Sequence, residues 1–522
     1  MTTSRILTER SQEELNKAII QYLTNTLDDN QKPILKDLSN ILHVEETDQI
    51  VANYLEKKWS TVIRLQKKIM DLENEVTSLR TIVDAQQQNS STTNGIIRRD
   101  RINWLPVSSG NNFQTEPGQL ILSVKLHPIL PIIFSGISDG SIIIWKIVND
   151  NISIPDKIIQ AHARGVNKLA WSSEPVDFSS SSSAASDSKY YALASCSADL
   201  SIKIWNGSNY RHIRTLTGHE HTVSSIVFSP TNPVILYSVS RDNTLKVWNL
   251  IDGNCLKSIV GHSDWVRDID VASINSTISL SNIKESNDVG LGDFVITCSN
   301  DQSIRLTHAT TGTGLSMLIG HTHVIETVKF LPITSNFILD KYLKNHASEY
   351  PNIPQDILSN PVYTETLGFK YCISGGRDNL IKLFLIPPPT ISDEGKTVTP
   401  TKYNGGMGWE IATIPGHVAW VKTLAVHPNG KFIFSGSEDK TIRVWDLNNL
   451  NIEGKIKCIK TLQGHEGFIN TIDFAKYTLN KSEFPNFKNE EEFQIELLKQ
   501  IEVNMKCLFI SGGTDSTVNL WN

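Results

Sequence analysis

One spacing recurs seven times in the chain: an Asp in a polar turn and, six positions on, a residue that is Trp in five of the seven. The pairs are Asp139 with Trp145, Asp199 with Trp205, Asp242 with Trp248, Asp301 with Thr307, Asp378 with Phe384, Asp439 with Trp445, and Asp515 with Trp521. The cleanest copy runs from Ile414 to Leu447 and shows what surrounds the pair. Gly416-His417 opens it, and VKTLAV, FIFSG and TIRVW follow as short apolar runs. Pro428 to Gly430 separates the first two runs, Glu438-Asp439-Lys440 separates the last two, and Trp445-Asp446 closes the unit. Short β-rich runs bounded by Gly, Pro, Asn and Asp read as strands joined by tight turns.

A Gly-His opening and a Trp-Asp close resemble the WD repeat, which implies one four-stranded blade of a β-propeller. The fold class expected is therefore mainly β: a seven-bladed propeller over residues 101–522, preceded by an α-helical dimerisation arm and a coiled coil. The opening His recurs as His162, His219, His262, His321, His417 and His465, while the first repeat has Glu116-Pro117 in its place. A buried His and a buried carboxylate must find partners. In WD repeats the His bonds the turn Asp, through a network that includes the Trp. The third strand of the seventh repeat ends at Trp521, so a fourth strand is needed from upstream. Arg101 to Val107 is the candidate, closing the ring and covering two sheet edges.

Upstream of the repeats the pattern turns helical. Ser11 with Glu14 fits a capping box, and Leu15, Ala18, Ile19, Tyr22 and Leu23 share one helical face. Pro33 opens a second short helix with Leu35, Leu38, Ile41 and Leu42 as its stripe. Residues 7–42 are thus a helical pair that packs on itself or shares a core with a second copy. Over residues 48–85, Leu55, Val62, Ile69, Val76 and Val83 recur every seven positions, and Leu65, Leu72 and Leu79 follow three of them by three. Aliphatic residues at a with Leu at d favour a parallel two-stranded coiled coil, although Lys58 breaks the d series. Residues 86–100 include QQQNSSTTNG, the composition of a flexible tether.

Composition narrows the function. Lys+Arg is 49 against Asp+Glu 55, a net charge of −6, which does not suggest a nucleic-acid surface. Arg5, Glu9, Arg10, Glu13 and Glu14 leave no apolar core for a signal peptide, and no run approaches the ~20 apolar residues of a membrane span. The expected setting is soluble and cytoplasmic. The six cysteines (196, 255, 298, 372, 458 and 507) form no Cys-x-x-Cys pair and read as reduced core residues. No metal or cofactor is expected. A Ser, a His and an Asp in every blade do not make a hydrolase, because a catalytic triad occurs once and these recur around the ring. Gly405, Gly406 and Gly408 lack a following helix and a phosphate-binding Lys, so they read as loop. Insertions at about 173–188, 273–292, 332–368, 387–409 and 475–506 fall between expected strands and should form surface loops. The last carries Phe493, Leu497 and Ile501 at helical spacing.

The segment LTERSQEELNKAIIQYL resembles the Lis-homology motif, and YLEKKWSTVIRLQKKIMDLE, Tyr54 to Glu73, is the most diagnostic stretch. Lis-homology motif, coiled coil, polar linker and seven WD repeats, in that order, resemble the lissencephaly-1 family of nuclear distribution proteins. The resemblance implies a non-enzymatic homodimer that binds and regulates cytoplasmic dynein through its heavy chain in nuclear migration and spindle positioning. It also implies a nuclear distribution cofactor of the NudE type as a partner and an indirect association with microtubules, at plus ends and spindle poles. The competing reading is a generic WD scaffold, a transcriptional corepressor or a ubiquitin-ligase substrate receptor. That reading calls for a basic nuclear signal or an F-box-like segment, and neither is evident.

Within a blade, the residue before the turn Asp and those shortly after Gly-His share the narrow face. Those slots hold Arg241, Trp265, Arg267, Arg377 and Trp420, with Lys440 one place past Asp439. Arg and Trp dominate interface hot spots, and the family resemblance implies that Arg241, Arg267, Arg377, Trp420 and Lys440 contact dynein.

Overall fold

The computed structural model describes residues 16–20, 22–24, 36, 38–39, 41–42, 68–69, 72, 105–106, 109–147, 155–176, 178, 189–272, 292–363, 367–391, 398–451, 454–474 and 509–521. They fall in two compact units, Met1–Arg99 and Asp100–Asn522. In the first, residues 16–20 and 22–24 are helical, Ala18 is buried, and Asn16 Nδ2 donates to the Leu42 carbonyl at 3.3 Å. Ile19 is half-buried, while Tyr22, Ile69 and Leu72 are exposed. Leu15, Leu55, Val62, Leu65, Val76, Leu79 and Val83 lie outside the described residues, as does the expected linker.

In the second unit, seven four-stranded antiparallel sheets follow one another around a ring. Each repeat supplies the inner three strands of one blade, and the strand just ahead of the next Gly-His completes that blade as its outer strand. Thus Val421–Val426, Phe432–Ser437 and Thr441–Leu450 pair in sequence, and Ile456–Gln463 completes blade 6. Burial follows radial position. Every residue of Phe432–Ser437 is buried, whereas the outer strand Cys255–Val260 is largely exposed. The same gradient sorts the thiols. Cys196, Cys298 and Cys372 are core residues, and burial pushes the Cys196 thiol up to about 12. Cys458 is half-buried, and Cys255, on an outer strand, is exposed rather than core.

The ring does not close on Arg101 to Val107. The fourth strand of blade 7 is Ser109–Gln114, paired from Ser109 opposite Trp521 to Gln114 opposite Thr517. Leu105 is instead buried near Trp521, and its carbonyl accepts a bond from Lys460 Nζ at 3.0 Å. An outer strand needs backbone pairing and little side-chain burial. SGNNFQ supplies one anchor, Phe113, whose ring centroid lies 5.6 Å from that of Trp145.

Two of the expected surface loops are ordered structure. Residues 333–345 of the 332–368 insertion form a helix that buries Ser335, Leu339, Tyr342 and Leu343, an i, i+4, i+7, i+8 stripe. Ser335 Oγ donates to the Gly430 carbonyl at 2.7 Å, and Tyr342 Oη to that of Asn451 at 2.7 Å. An insertion in blade 5 is thereby fastened to blade 6. In the 387–409 insertion, Thr390–Ile391 pairs with Val398–Thr399, and Met407 bridges to Met317 in the outer strand of blade 4. Gly405 and Gly406 take positive φ there, as loop residues. Of the other insertions, residues 173–176, 178 and 292 alone are described.

Candidate functional site: one end of the ring

The recurring His and Asp meet as expected in six blades. His Nδ1 lies 2.7–2.9 Å from the turn Asp at His162–Asp199, His219–Asp242, His262–Asp301, His321–Asp378, His417–Asp439 and His465–Asp515. The other ring nitrogen faces a Ser hydroxyl, or Thr297 in blade 4. Where Trp is present, its Nε1 donates to that same Ser, as Trp445 does to Ser435 at 2.8 Å. The Asp carboxylate also accepts from backbone: Asp439 takes the amides of Val418 and Thr441 and the Thr441 hydroxyl. Burial alone would raise these carboxyl pKa values. Hydrogen bonds and the paired His nonetheless hold Asp199, Asp242, Asp301, Asp378, Asp439 and Asp515 below the ordinary range. Blade 1 substitutes a neutral partner, Gln119 Nε2 donating to Asp139 Oδ2 at 2.9 Å. This network positions backbone, and its repetition around the ring marks it as structural.

What it positions is the end of the ring where the Gly-His loops meet the Asp turns. In all seven blades the residue before the Asp donates its amide to the carbonyl three places after the His position, as in Arg377 to Val324 and Glu438 to Trp420. Two residues past that carbonyl, every inner strand carries a register shift, for example between Val266 and Asp268 and between Ile325 and Thr327. A bulge leaves one residue out of the ladder and re-aims its side chain. In blades 4, 5 and 6 the skipped residues are Arg267, Glu326 and Lys422.

The cations and aromatics expected to converge do so in two groups. Arg241 and Arg267 both approach the Trp265 ring, their guanidinium carbons 4.8 and 5.5 Å from its centroid. Arg267 Nε donates to Asn300 Oδ1 at 2.7 Å, while the buried Nε of Arg241 has no hydrogen-bond partner. Burial, with Arg267 nearby, lowers the Arg241 pKa. The Arg377 guanidinium lies 4.2 Å from the Trp420 centroid, a cation–π stack on the next interface but one. Lys440 stands exposed in the left-handed region at φ 68°.

Sequence reasoning missed the carboxylate between the groups. Glu326 Oε1 accepts Arg377 Nε at 2.5 Å, and Oε2 lies 3.3 Å from Lys422 Nζ. Burial disfavours its charge, but Lys422, Arg267 and Arg377 together hold its pKa below the ordinary glutamate value. Arg377 and Lys422 are therefore ion-paired within the cluster, whereas Arg241 and Arg267 feel Glu326 only at longer range and make no ion pair among the described residues. The signal available in sequence was position: Glu326 and Lys422 occupy the same slot as Arg267.

Among the described residues no cluster suited to a metal ion occurs, and no helix is long and apolar enough to cross a membrane. Seven WD-type blades around one axis, presenting a cationic and aromatic rim, define a seven-bladed WD-repeat β-propeller protein. The WD domain, G-beta repeat, family model matches residues 154–206, 210–249, 253–307 and 408–446. Across its length the chain is 58% identical to nuclear distribution protein PAC1 of Scheffersomyces stipitis, with all of each chain covered. It is 55% identical to the Debaryomyces hansenii protein of that name and 48% to that of Candida albicans, again with both chains covered in full. The chain belongs to the nuclear distribution protein PAC1 family.

Proposed function

We propose that this protein is a non-enzymatic, dimeric adaptor in nuclear distribution. It binds the cytoplasmic dynein heavy chain and promotes the motor's activation and targeting in nuclear migration and spindle positioning. The observation that carries the reading is the pair of indoles, Trp265 and Trp420, overlaid by Arg241, Arg267 and Arg377 at one end of the ring. Guanidinium groups stacked on indole present donors outward for carboxylates while keeping little conformational freedom to lose. Lys440 extends the cationic surface. An acidic protein surface is the complement, so association weakens as salt rises. The relatives' shared name supports the nuclear distribution role. Dimerisation rests on the heptads, of which the described members Ile69 and Leu72 are exposed helical residues in the single chain. A cofactor of the NudE type, an indirect link to microtubules at plus ends and spindle poles, and a cytoplasmic, cytoskeletal location complete the reading. Recovery of dynein heavy chain with the purified protein from cell extract tests it. The wild type should retain the motor and an Arg241→Ala/Trp420→Ala variant should not; equal recovery by both would place the site elsewhere.

A further inference from the structure

The rim that carries the cations is not uniform. The amide-to-carbonyl bond shared by all seven blades makes positions comparable around the ring. Three places after the His position, blades 4 and 6 carry Trp265 and Trp420. Blades 7, 1 and 2 carry Phe468, Leu120 and Gly165 there. Before the turn Asp, blades 3 and 5 carry Arg241 and Arg377, and blades 7, 1 and 2 carry Thr514, Ser138 and Ala198. At the bulge, blades 4 to 6 carry Arg267, Glu326 and Lys422, and blades 7, 1 and 2 carry Asn470, Leu122 and Asn167. No charged residue occupies any of these slots in blades 7, 1 and 2.

The polar groups on that arc are already engaged. Asn470 Nδ2 donates to the Ile121 carbonyl at 2.8 Å and Asn167 Nδ2 to that of Val223 at 2.7 Å, so both asparagines tie neighbouring blades. Ser138 Oγ accepts the Leu120 amide, and Thr514 Oγ1 accepts that of Phe468. Gly165 leaves room for Leu122, since a Cβ there would lie 3.0 Å from Leu122 Cδ1. In these slots and the Asp199 turn the exposed side chains are apolar, with Phe468 44% exposed, Leu120 37% and Leu200 40%, while Glu116, Arg164 and Glu466 stand exposed beside them in the same loops. The Asn470 bond sets the segments bearing Phe468 and Leu120 side by side across the blade 7–blade 1 boundary. Blade 7 also adjoins blade 6, so Phe468 continues the arc on which Trp420 holds the equivalent slot.

We propose that these two arcs form one docking surface, and that the apolar arc at Phe468, Leu120 and Leu200 receives an apolar ridge of the same protein whose carboxylates meet the cationic arc. This rests on the proposed binding of dynein, and it specifies the partner's epitope as acidic on one flank and aliphatic or aromatic on the other. Two features favour a single partner over a second copy of this chain. The arcs are continuous through blades 6 and 7, and a second copy would bring another cationic arc to a rim where Arg241 and Arg267 make no ion pair among the described residues. The two arcs differ in how they respond to salt. Ion pairs weaken as salt rises, while burial of apolar surface does not.

The test is equilibrium binding of the full-length protein to purified dynein motor domain across a range of salt concentrations. Phe468→Ser with Leu120→Ser should weaken binding by about tenfold or more, the loss typical of a buried aromatic anchor and its neighbour, with the wild-type salt dependence kept. Arg241→Ala with Arg267→Ala should instead flatten the salt dependence. Phe468→Leu, which keeps an apolar side chain, should bind within about threefold of wild type. Thermal melts monitored by circular dichroism establish that each variant is folded. A folded Phe468→Ser/Leu120→Ser variant with wild-type affinity overturns the inference and leaves the dynein reading standing, as does loss of self-association in place of motor binding. Absence of motor binding by the wild type overturns both.

Discussion

Asp268 gives the sharpest test of what holds the ring together. It lies on the inner strand of blade 4 and is only 3% exposed. Ser225 Oγ of blade 3 donates to it at 2.8 Å and Thr327 Oγ1 of blade 5 at 3.0 Å. Lys168 Nζ reaches it from blade 2 at 3.5 Å and Lys329 Nζ from blade 5 at 3.4 Å. One carboxylate thus ties four consecutive blades at the axis. Burial opposes its charge, yet the two lysines keep its pKa well below the ordinary range. Asp268→Ala would strand Lys168 and leave Lys329 with Asp270, at 3.8 Å, as its remaining ion pair, beside the Ile269 carbonyl at 3.5 Å. Removing one member of a buried ion pair costs roughly 3–5 kcal/mol. The lysine side chains keep 29% and 23% exposure, so water recovers part of that, and about 2–4 kcal/mol is expected. Asp268→Asn keeps one acceptor oxygen for Ser225 or Thr327 and can donate its amide N–H to the other hydroxyl, so it should lose less. Urea unfolding followed by tryptophan fluorescence reads the difference. A loss below about 0.5 kcal/mol for Asp268→Ala, the range of ordinary surface substitutions, would refute the cross-axis tie.

Ring closure predicts that deleting Ser109–Gln114 exposes the Thr517–Trp521 edge and causes aggregation on heating, whereas deleting residues 101–104 leaves the melt nearly unchanged; light scattering during a thermal ramp separates the two. Acid should destabilise the propeller in two stages. His162 is held below its ordinary pKa of 6.5 by burial, so its contribution is complete above that pH and is lost as pH falls from there. The turn carboxylates, depressed from 3.8, contribute fully above that value and lose stability as pH falls through their lower folded values. Urea midpoints measured from pH 8 downward should therefore decline below about 6.5 and steepen below about 4; a midpoint that rises on acidification contradicts the assignment. Val62→Asp with Ile69→Asp should convert the dimer to monomers in sedimentation with an intact propeller, and a wild type already monomeric at micromolar concentration would contradict the coiled coil.

How much was legible from sequence follows the repetition. Six His–Asp pairs and the cations beside the turns were readable because one geometry is written repeatedly, and a slot identified in blade 6 transfers to blades 3, 4 and 5. Features written once were not. Ser109–Gln114 carries little apolar signal because its pairing is through the backbone, and the more hydrophobic RINWLPV drew the assignment. The helix at 333–345 was masked by its place among insertions, although its buried stripe has ordinary helical spacing. Glu326 escaped notice because a search for an acid-binding surface selects cations. The structure shows that the cation cluster contains its own buried counter-charge. That bears on mutagenesis: Arg377→Ala would leave Glu326 with Lys422 as its remaining ion pair among the described residues, so it mixes lost contact with local destabilisation. Arg241 makes no ion pair among the described residues and is the cleaner probe.

The measurement closest to the central claim is direct binding of the purified full-length protein to purified dynein motor domain, at low and at physiological salt. The account predicts saturable binding that weakens with salt, and its loss in a folded Arg241→Ala/Trp420→Ala variant. Binding that is absent in the wild type, or unchanged in that variant, would contradict it.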